Sequence, residues 1–305
     1  MARLRIGTRG SPLALAQAHE TQRRLAAALG EDAAAFEIVV IKTSGDMIQD
    51  RALSESGGKG LFTKEIDAAM LRGEIELAVH SSKDLPTRLP DGIVVAGYLA
   101  REDVRDALIS ARATSFAGLP QGGTLGTASL RRQAQAKRLR PDLQVGLLRG
   151  NVETRLNKAE RGEIDATLLA YAGLKRLGLA HRATALLSVE EFLPAVGQGA
   201  IGLTARGDNH AALAALAPIL DAATGQALAC ERAFLAVLDG SCKTPIAGHA
   251  VLDGDALRFR GAVYRADGSQ AFEIERAGRA RDAAEIGAAA GRDLLARLPA
   301  GVLGT

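Results

Sequence analysis

The chain has 305 residues, which at roughly 150 residues per domain leaves room for two or three domains. Apolar residues make up 47% and charged residues 24%, the balance of a folded globular protein and not of a disordered one. The 38 Lys and Arg stand against 35 Asp and Glu, and 7 Phe, 3 Tyr and no Trp offer few stacking platforms, which argues against a protein that coats nucleic acid.

Two cysteines, Cys230 and Cys242, cannot build a disulfide framework or a multi-cysteine zinc site, and the five histidines show no metal-ligand spacing. A reducing cytoplasm and no metal are expected. Arg3, Arg5 and Arg9 followed by Pro12–Ala16 faintly imitate a leader peptide, but that apolar run is shorter than the roughly 7–15 residues a leader needs. The longest uncharged run, Ala113–Leu130, is broken by Gly118, Pro120, Gly122, Gly123 and Gly126 and does not suit a membrane.

In chain order, Leu4–Gly7 reads as a short strand. Ser11 then caps a helix with Pro12 in its first turn and Gly30 as its stop, with Leu15, Ala18, Leu25 and Leu29 on one face. Phe36–Ile41 is a β-branched strand, and Thr43–Gly60 a polar, glycine-rich stretch long enough to be a functional or mobile loop. Leu61–Leu71 reads as helix, and Ile75–Val79 and Ile93–Tyr98 as strands, so an α/β domain with a mainly parallel sheet is expected.

An internal repeat follows. Arg72-Gly73-Glu74-Ile75-Glu76 returns as Arg161-Gly162-Glu163-Ile164-Asp165, each closing a helix and opening an apolar strand. Ile6-Gly7-Thr8-Arg9-Gly10-Ser11 is echoed by Leu125-Gly126-Thr127-Ala128-Ser129, again ahead of a helix. Two echoes in the same order point to two similar α/β lobes, with Pro194–Gly202 as a return crossing between them. Paired lobes make a cleft, where ligands bind in such sheets. Beyond these lobes, Thr224 reads as the cap of a helix to about Leu238. Asp253-Gly254 and Asp267-Gly268 mark hairpins between strands near 246–252, 256–265 and 270–276, and a helix starts near Asp282. The expected domains are 1–99 with 200–217, then 100–199, then 218–305, the last an α+β domain with a three-stranded antiparallel sheet.

Each lobe carries a Gly-Thr loop and a Ser directly before a helix, where unpaired N–H groups attract anions. A lone Ser is an ordinary cap; the arginines set these apart. Arg9 lies in the first loop, Arg131 and Arg132 open the helix after Ser129, and Arg149 and Arg155 flank Gly150-Asn151. Cations at a helix N-terminus oppose its dipole, and a bound polyanion would resolve that conflict. Lys137, Arg138 and Arg140 read as a solvated face. Ser56-Gly57-Gly58-Lys59-Gly60 lacks the spacing of a nucleotide-binding phosphate loop. His80 reads as a packed histidine. Lys83 and Asp84, at a strand end, either project into the cleft or form a surface ion pair. Cys242 sits in a tight Gly-Ser-Cys-Lys loop, whereas Cys230 reads as a small core residue.

Six runs, in order along almost the whole chain, closely resemble the porphobilinogen deaminase (hydroxymethylbilane synthase) family. They are Gly57–Phe62, His80–Asp84, Gly126–Arg132, Leu148–Asn151, Gly173–Gly178 and Pro194–Ala200, and the cysteine loop at 240–248 completes them. One departure is Val104, where the family often has Pro. The resemblance implies two lobes like type 2 periplasmic binding proteins plus the small third domain, in a cytoplasmic monomer. It implies a transferase that condenses four porphobilinogen molecules head to tail with loss of ammonia and then hydrolyses off linear hydroxymethylbilane. A dipyrromethane cofactor would be thioether-linked to Cys242. Arg9, Ser11, Lys59, Thr127, Ser129, Arg131, Arg132, Arg149, Arg155, Arg176 and Gln198 would bind acetate and propionate groups of cofactor and substrate. Asp84 and Lys83 would serve catalysis, with Asp84 facing the electron-poor azafulvenium carbon, and Phe62 would belong to a lid. The competing classes are a two-lobed anion receptor without catalysis and a cysteine hydrolase of the same fold; covalent pyrrole on the protein separates them.

Overall fold

Strand β1 (Leu4–Thr8) leads into α1 (Pro12–Leu29), β2 (Phe36–Val40), the short α2 (Ser44–Met47), α3 (Lys64–Leu71), β3 (Leu77–Ser81) and β4 (Ile93–Tyr98). Next come β5 (Asp106–Ile109), β6 (Thr124–Gly126), α4 (Leu130–Leu139), β7 (Gln144–Gly146), α5 (Val152–Glu160), β8 (Ala166–Ala170), α6 (Tyr171–Arg176) and β9 (Ala185–Leu186). The last third holds β10 (Ile201–Arg206), α7 (His210–Leu216), α8 (Ala222–Val237), β11 (Ile246–Asp253), β12 (Ala256–Tyr264), β13 (Ala271–Arg279) and α9 (Ala283–Leu295). This computed structural model describes residues 4–47, 60–238 and 244–303, so Lys59 and Cys242 lie outside the described residues.

One compact unit combines described residues of the first 102 with 200–225; a second holds 103–199 and the chain from 226 onward. The first unit is built on a sheet of order β2-β1-β3-β10-β4. Strand β1 runs parallel to β2 and β3, while β10 is antiparallel to both β3 and β4. The second unit repeats this plan as β7-β6-β8-β5-β9, with β6 parallel to β7 and β8 and with β5 antiparallel to β8 and β9. Both sheets are therefore mainly parallel, as expected, except for one reversed strand in each. The reversed strands, β5 and β10, are each the first strand after the chain passes from one unit to the other. Such a strand has no crossover helix behind it within its own unit, and only that helix imposes parallel pairing. Central strands β3 and β10 are buried along almost their whole length.

The sequence repeat has a physical basis. Helices α3 and α5 end at Arg72 and Arg161 with nearly identical backbone angles, and Gly73 and Gly162 follow at φ +72° and +71°. Only glycine adopts that left-handed cap without strain. The isoleucine of each copy then packs on the glycine of the other echoed motif: Ile75 covers Gly7, and Ile164 covers Gly126. A Cβ at either glycine would overlap that side chain, so the two echoes are the two halves of one contact.

Ser11 caps α1 through Ala14 N–H, as read. Three local readings change. Helix α8 is capped by Asp221, whose carboxylate accepts Thr224 N–H at 2.7 Å, and the Thr224 hydroxyl accepts Arg101 N–H at 3.0 Å. The first hairpin turns at Gly254-Asp255, with Asp253 already paired to Ala256. Arg140 is not solvated: it donates to the carbonyls of Phe116, Ala117 and Pro120 and pairs with Asp142 at 2.7 Å, pinning the loop ahead of β6.

The antiparallel sheet β11-β12-β13 packs its own core with α8 and α9, through Phe234, Phe259, Leu257 and Leu294. Cys230 is fully buried in this core, and burial pushes its thiol up to about 12, so it is no nucleophile. The two helices approach closely at Gly287 and Gly291, where a Cβ would strike the Cys230 carbonyl and Val237. Gly287→Ala is therefore expected to cost about 3 kcal/mol, because the obstacle is rigid backbone, whereas Cys230→Ala costs about 1 kcal/mol. Urea denaturation of both variants checks this; equal midpoints would mean that the helices separate freely.

Candidate active site

In the first unit, Arg9 leaves the end of β1 just ahead of the capped start of α1. Its guanidinium bonds Asp46 at 2.5 Å, lies 3.7 Å from the Asp84 carboxylate, and sits 4.0 Å above the Phe62 ring. Asp46 is oriented in turn by the Thr43 hydroxyl at 2.8 Å. Burial would raise the Asp46 pKa, but hydrogen bonds from Arg9 and Thr43 outweigh it and hold the carboxyl low. Helix α3 supports the group: its Glu65 accepts from the Ser44 N–H and hydroxyl and so fixes the α2 segment that carries Asp46. Asp84 closes a short turn after β3, beside half-buried Lys83. The structure thus brings Arg9, Phe62 and Asp84 together. It adds Asp46, which the sequence reading passed over inside a polar stretch.

His80 points away from such chemistry. It is buried on β3, its Nε2 lies 3.1 Å from the Thr204 hydroxyl, and burial with the nearby Arg9 charge lowers its pKa to about 4.

In the second unit, Ser129 caps α4 through Arg132 N–H, and Arg131 and Arg132 follow in its first turn. Both are about 95% buried. Both hold one carboxylate: Asp106, fully buried at the head of β5, accepts from Arg131 Nη2 and Arg132 Nη2 at 2.7 Å each. Burial works to raise the Asp106 pKa, but the two guanidinium charges win and keep it well below the usual carboxylate range. The anion expected to offset the helix dipole is thus partly internal. Arg131 also donates to the Leu193 carbonyl at 2.7 Å, yet its Nε finds no acceptor among the described residues.

Gln198, buried, donates to Asp106 at 3.2 Å and to the Val104 carbonyl at 2.8 Å, fixing the crossing where the family often has Pro. Arg176 ends α6 and donates to the Gly199 carbonyl at 2.9 Å, next to Gln198. Thr127 accepts Ser129 N–H at 3.1 Å and shapes the loop before α4. Arg149 and Arg155 are half-buried at the start of α5, where Arg155 donates to the Gly150 carbonyl at 3.0 Å. Asp106 was the missed member here. Its one signal is its place directly before the apolar run Ala107–Ile109.

In this mixed α/β protein two buried guanidiniums share one carboxylate at a capped helix start, which leaves that start with a surplus of positive charge. The family model "Porphobilinogen deaminase, dipyromethane cofactor binding domain" matches residues 4–214, and "Porphobilinogen deaminase, C-terminal domain" matches 226–296. A porphobilinogen deaminase of Nitrobacter hamburgensis is 58% identical over 96% of this chain and 92% of its own length. That of Paracoccus denitrificans is 54% identical over 97% and 95%. Among solved structures, a periplasmic substrate-binding protein of an ABC transporter from Coxiella burnetii aligns over 71% of this chain and 91% of its own, at 13% identity and TM-score 0.45. The chain belongs to the porphobilinogen deaminase family.

The residues present fit the carboxylate-bearing pyrrole group that the family model names. Two buried positive charges face one negative charge, and a buried guanidinium N–H lacks an acceptor, so one further carboxylate would balance charge and hydrogen bonds together.

Helix α3, which supports the Arg9 group, contains a second kind of carboxylate. Asp67 is 3% exposed, has an oxygen without a hydrogen-bond partner among the described residues, and is pushed by burial up to about 6. Its folded pKa exceeds its unfolded one, so the stability that Asp67 itself contributes is fully present below about pH 4 and is lost as pH rises through about 6. Asp67→Asn is expected to stabilise the protein by about 2–3 kcal/mol at pH 8 and by nothing at pH 4, read from denaturant midpoints at both pH values.

Proposed function

We propose that this chain is a hydroxymethylbilane synthase that builds a linear tetrapyrrole from four porphobilinogen molecules on a dipyrromethane primer held at Cys242. The observation that carries the reading is the surplus positive charge buried at Arg131 and Arg132, in a chain of this family. Each pyrrole of the substrate bears an acetate and a propionate, so the growing chain is a polyanion, and bidentate arginine forks suit its carboxylates.

In this reading Arg131 and Arg132, with the capped helix start at Ser129 and the Thr127 loop, take carboxylates of the primer. Arg149, Arg155 and Arg176 extend the set. Bound dipyrromethane would supply the free, electron-rich pyrrole carbon to which the first substrate is joined, each later substrate adding to the ring before it. Asp84 does the chemical work in the other unit. Loss of ammonia leaves porphobilinogen with an electron-poor methylene carbon, and the pyrrole rings carry positive charge as the new bond forms. A fixed carboxylate facing that charge lowers the barrier and moves the proton that the ring must shed. Arg9, 3.7 Å away, orients Asp84, and Phe62 beneath Arg9 keeps one face of the guanidinium from water. Lys83 contributes a second polar group beside Asp84.

Two outcomes are expected. The intact mass of the purified chain exceeds that of the sequence by two linked pyrrole units, mapped to Cys242 and lost in Cys242→Ser; an unmodified Cys242 in active protein would refute the attachment. Asp84→Asn folds and keeps its pyrrole mass but releases ammonia from porphobilinogen at no more than about 1% of the normal rate. Normal turnover in that variant removes Asp84 from the chemistry.

A further inference from the structure

The arginine pair rests on the second hairpin of the C-terminal sheet. Helix α4 begins with Arg131 and Arg132, and the β12–β13 turn is seated against its middle. Gly268, at φ +77°, lies so close that a Cβ there would stand 2.6 Å from the Ala134 carbonyl and 2.7 Å from the Arg138 nitrogen, both backbone atoms of α4. Gln133 on the same helix donates to the Ala266 carbonyl of the turn at 3.2 Å. Just before the turn, the Tyr264 hydroxyl donates to Gln135 at 3.2 Å.

Gln135 connects this contact to Arg131. Its side-chain amide pairs with the backbone of Leu193, accepting the N–H at 2.7 Å and donating to the carbonyl at 3.0 Å. Arg131 donates to that same Leu193 carbonyl at 2.7 Å. A displaced hairpin would shift Tyr264, then Gln135 and Leu193, and with them one of the two anchors of the Arg131 guanidinium.

We propose that Gly268 and Tyr264 are positioning residues: the hairpin tip sets the angle of α4 and so aims Arg131 and Arg132 at the ligand carboxylate. This rests on the carboxylate-binding role given to the arginines above. Gly268 serves because its missing side chain allows backbone-to-backbone seating. The sheet therefore acts on pyrrole binding without touching the pyrrole.

The first hairpin provides a matched control. Gly254 has a similar left-handed backbone, φ +58°, but nothing within 4 Å of an added Cβ. Gly254→Ala and Gly268→Ala thus carry comparable turn strain, and only the second pushes on α4. Full-length chains made without pyrrole are mixed with porphobilinogen, and pyrrole acquisition is followed by intact mass. We expect loading by Gly268→Ala to slow at least tenfold and, once loaded, its KM for porphobilinogen to rise at least tenfold with kcat within threefold of normal. Gly254→Ala should match the unsubstituted chain. Equal loading and equal KM in the two variants overturns the proposal, as does a loss confined to thermal stability in Gly268→Ala. Should Gly268→Ala fail to fold, Tyr264→Phe decides, with roughly threefold slower loading expected and an unchanged rate refuting it. An unsubstituted chain that acquires no pyrrole would instead overturn the parent reading.

Discussion

A carboxylate with no exposed surface, Asp106, is held by two guanidiniums that are almost as deeply buried. Each of these charges alone would cost several kcal/mol to take out of water, and the loss of any partner leaves the others stranded. The second unit is arranged so that none is alone. Strand β5 delivers Asp106, the capped start of α4 delivers both arginines, and Gln198 closes the group. Three separate stretches of chain must therefore reach one point together. Electrostatics here act less as a source of stability than as a condition on how strand, helix and loop meet.

The two units share an architecture but place opposite emphasis on it. Both have a Gly-Thr loop leaving a central parallel strand, followed by a Ser-capped helix. In the first, the arginine follows the strand directly and stays half-exposed among Asp46, Asp84 and Phe62. In the second, the arginines come one step later, on the helix, and are sealed in. A shallow, acid-rich group suits reacting atoms that must enter and leave. A deep, arginine-rich one suits a ligand that stays.

Much of this was readable in advance where the cause is local. Ser11-Pro12 and the two Arg-Gly-Glu-Ile runs each act through their own backbone, and the elements appear where those residues place them, while the first Asp-Gly hairpin turns one residue later than its signal. Strand direction is not local, so the antiparallel entry of β5 and β10 is not legible in their residues. Asp106 was hidden too, since a charge-rich run from Arg101 to Asp106 looks solvated until the sheet closes over its last residue. Arg140 and Asp221 show the same limit on a smaller scale. The partners of Arg140 at Phe116–Pro120 are about twenty residues away. Asp221 and Thr224 are both plausible caps, and only the tertiary bond from Arg101 assigns each its task. The burial of Arg131 and Arg132 is not legible in the sequence either, because no single arginine announces its depth.

His80 sits under the Arg9 group as a neutral ring, its proton affinity suppressed by burial and by the neighbouring guanidinium. Imidazole is the side chain that ordinarily gives an enzyme its response to acidity near neutrality. Here His80 stays uncharged across that range, and the Arg9 charge helps to keep it so. Near neutral pH this ring therefore gives the surroundings of Arg9 no change of charge.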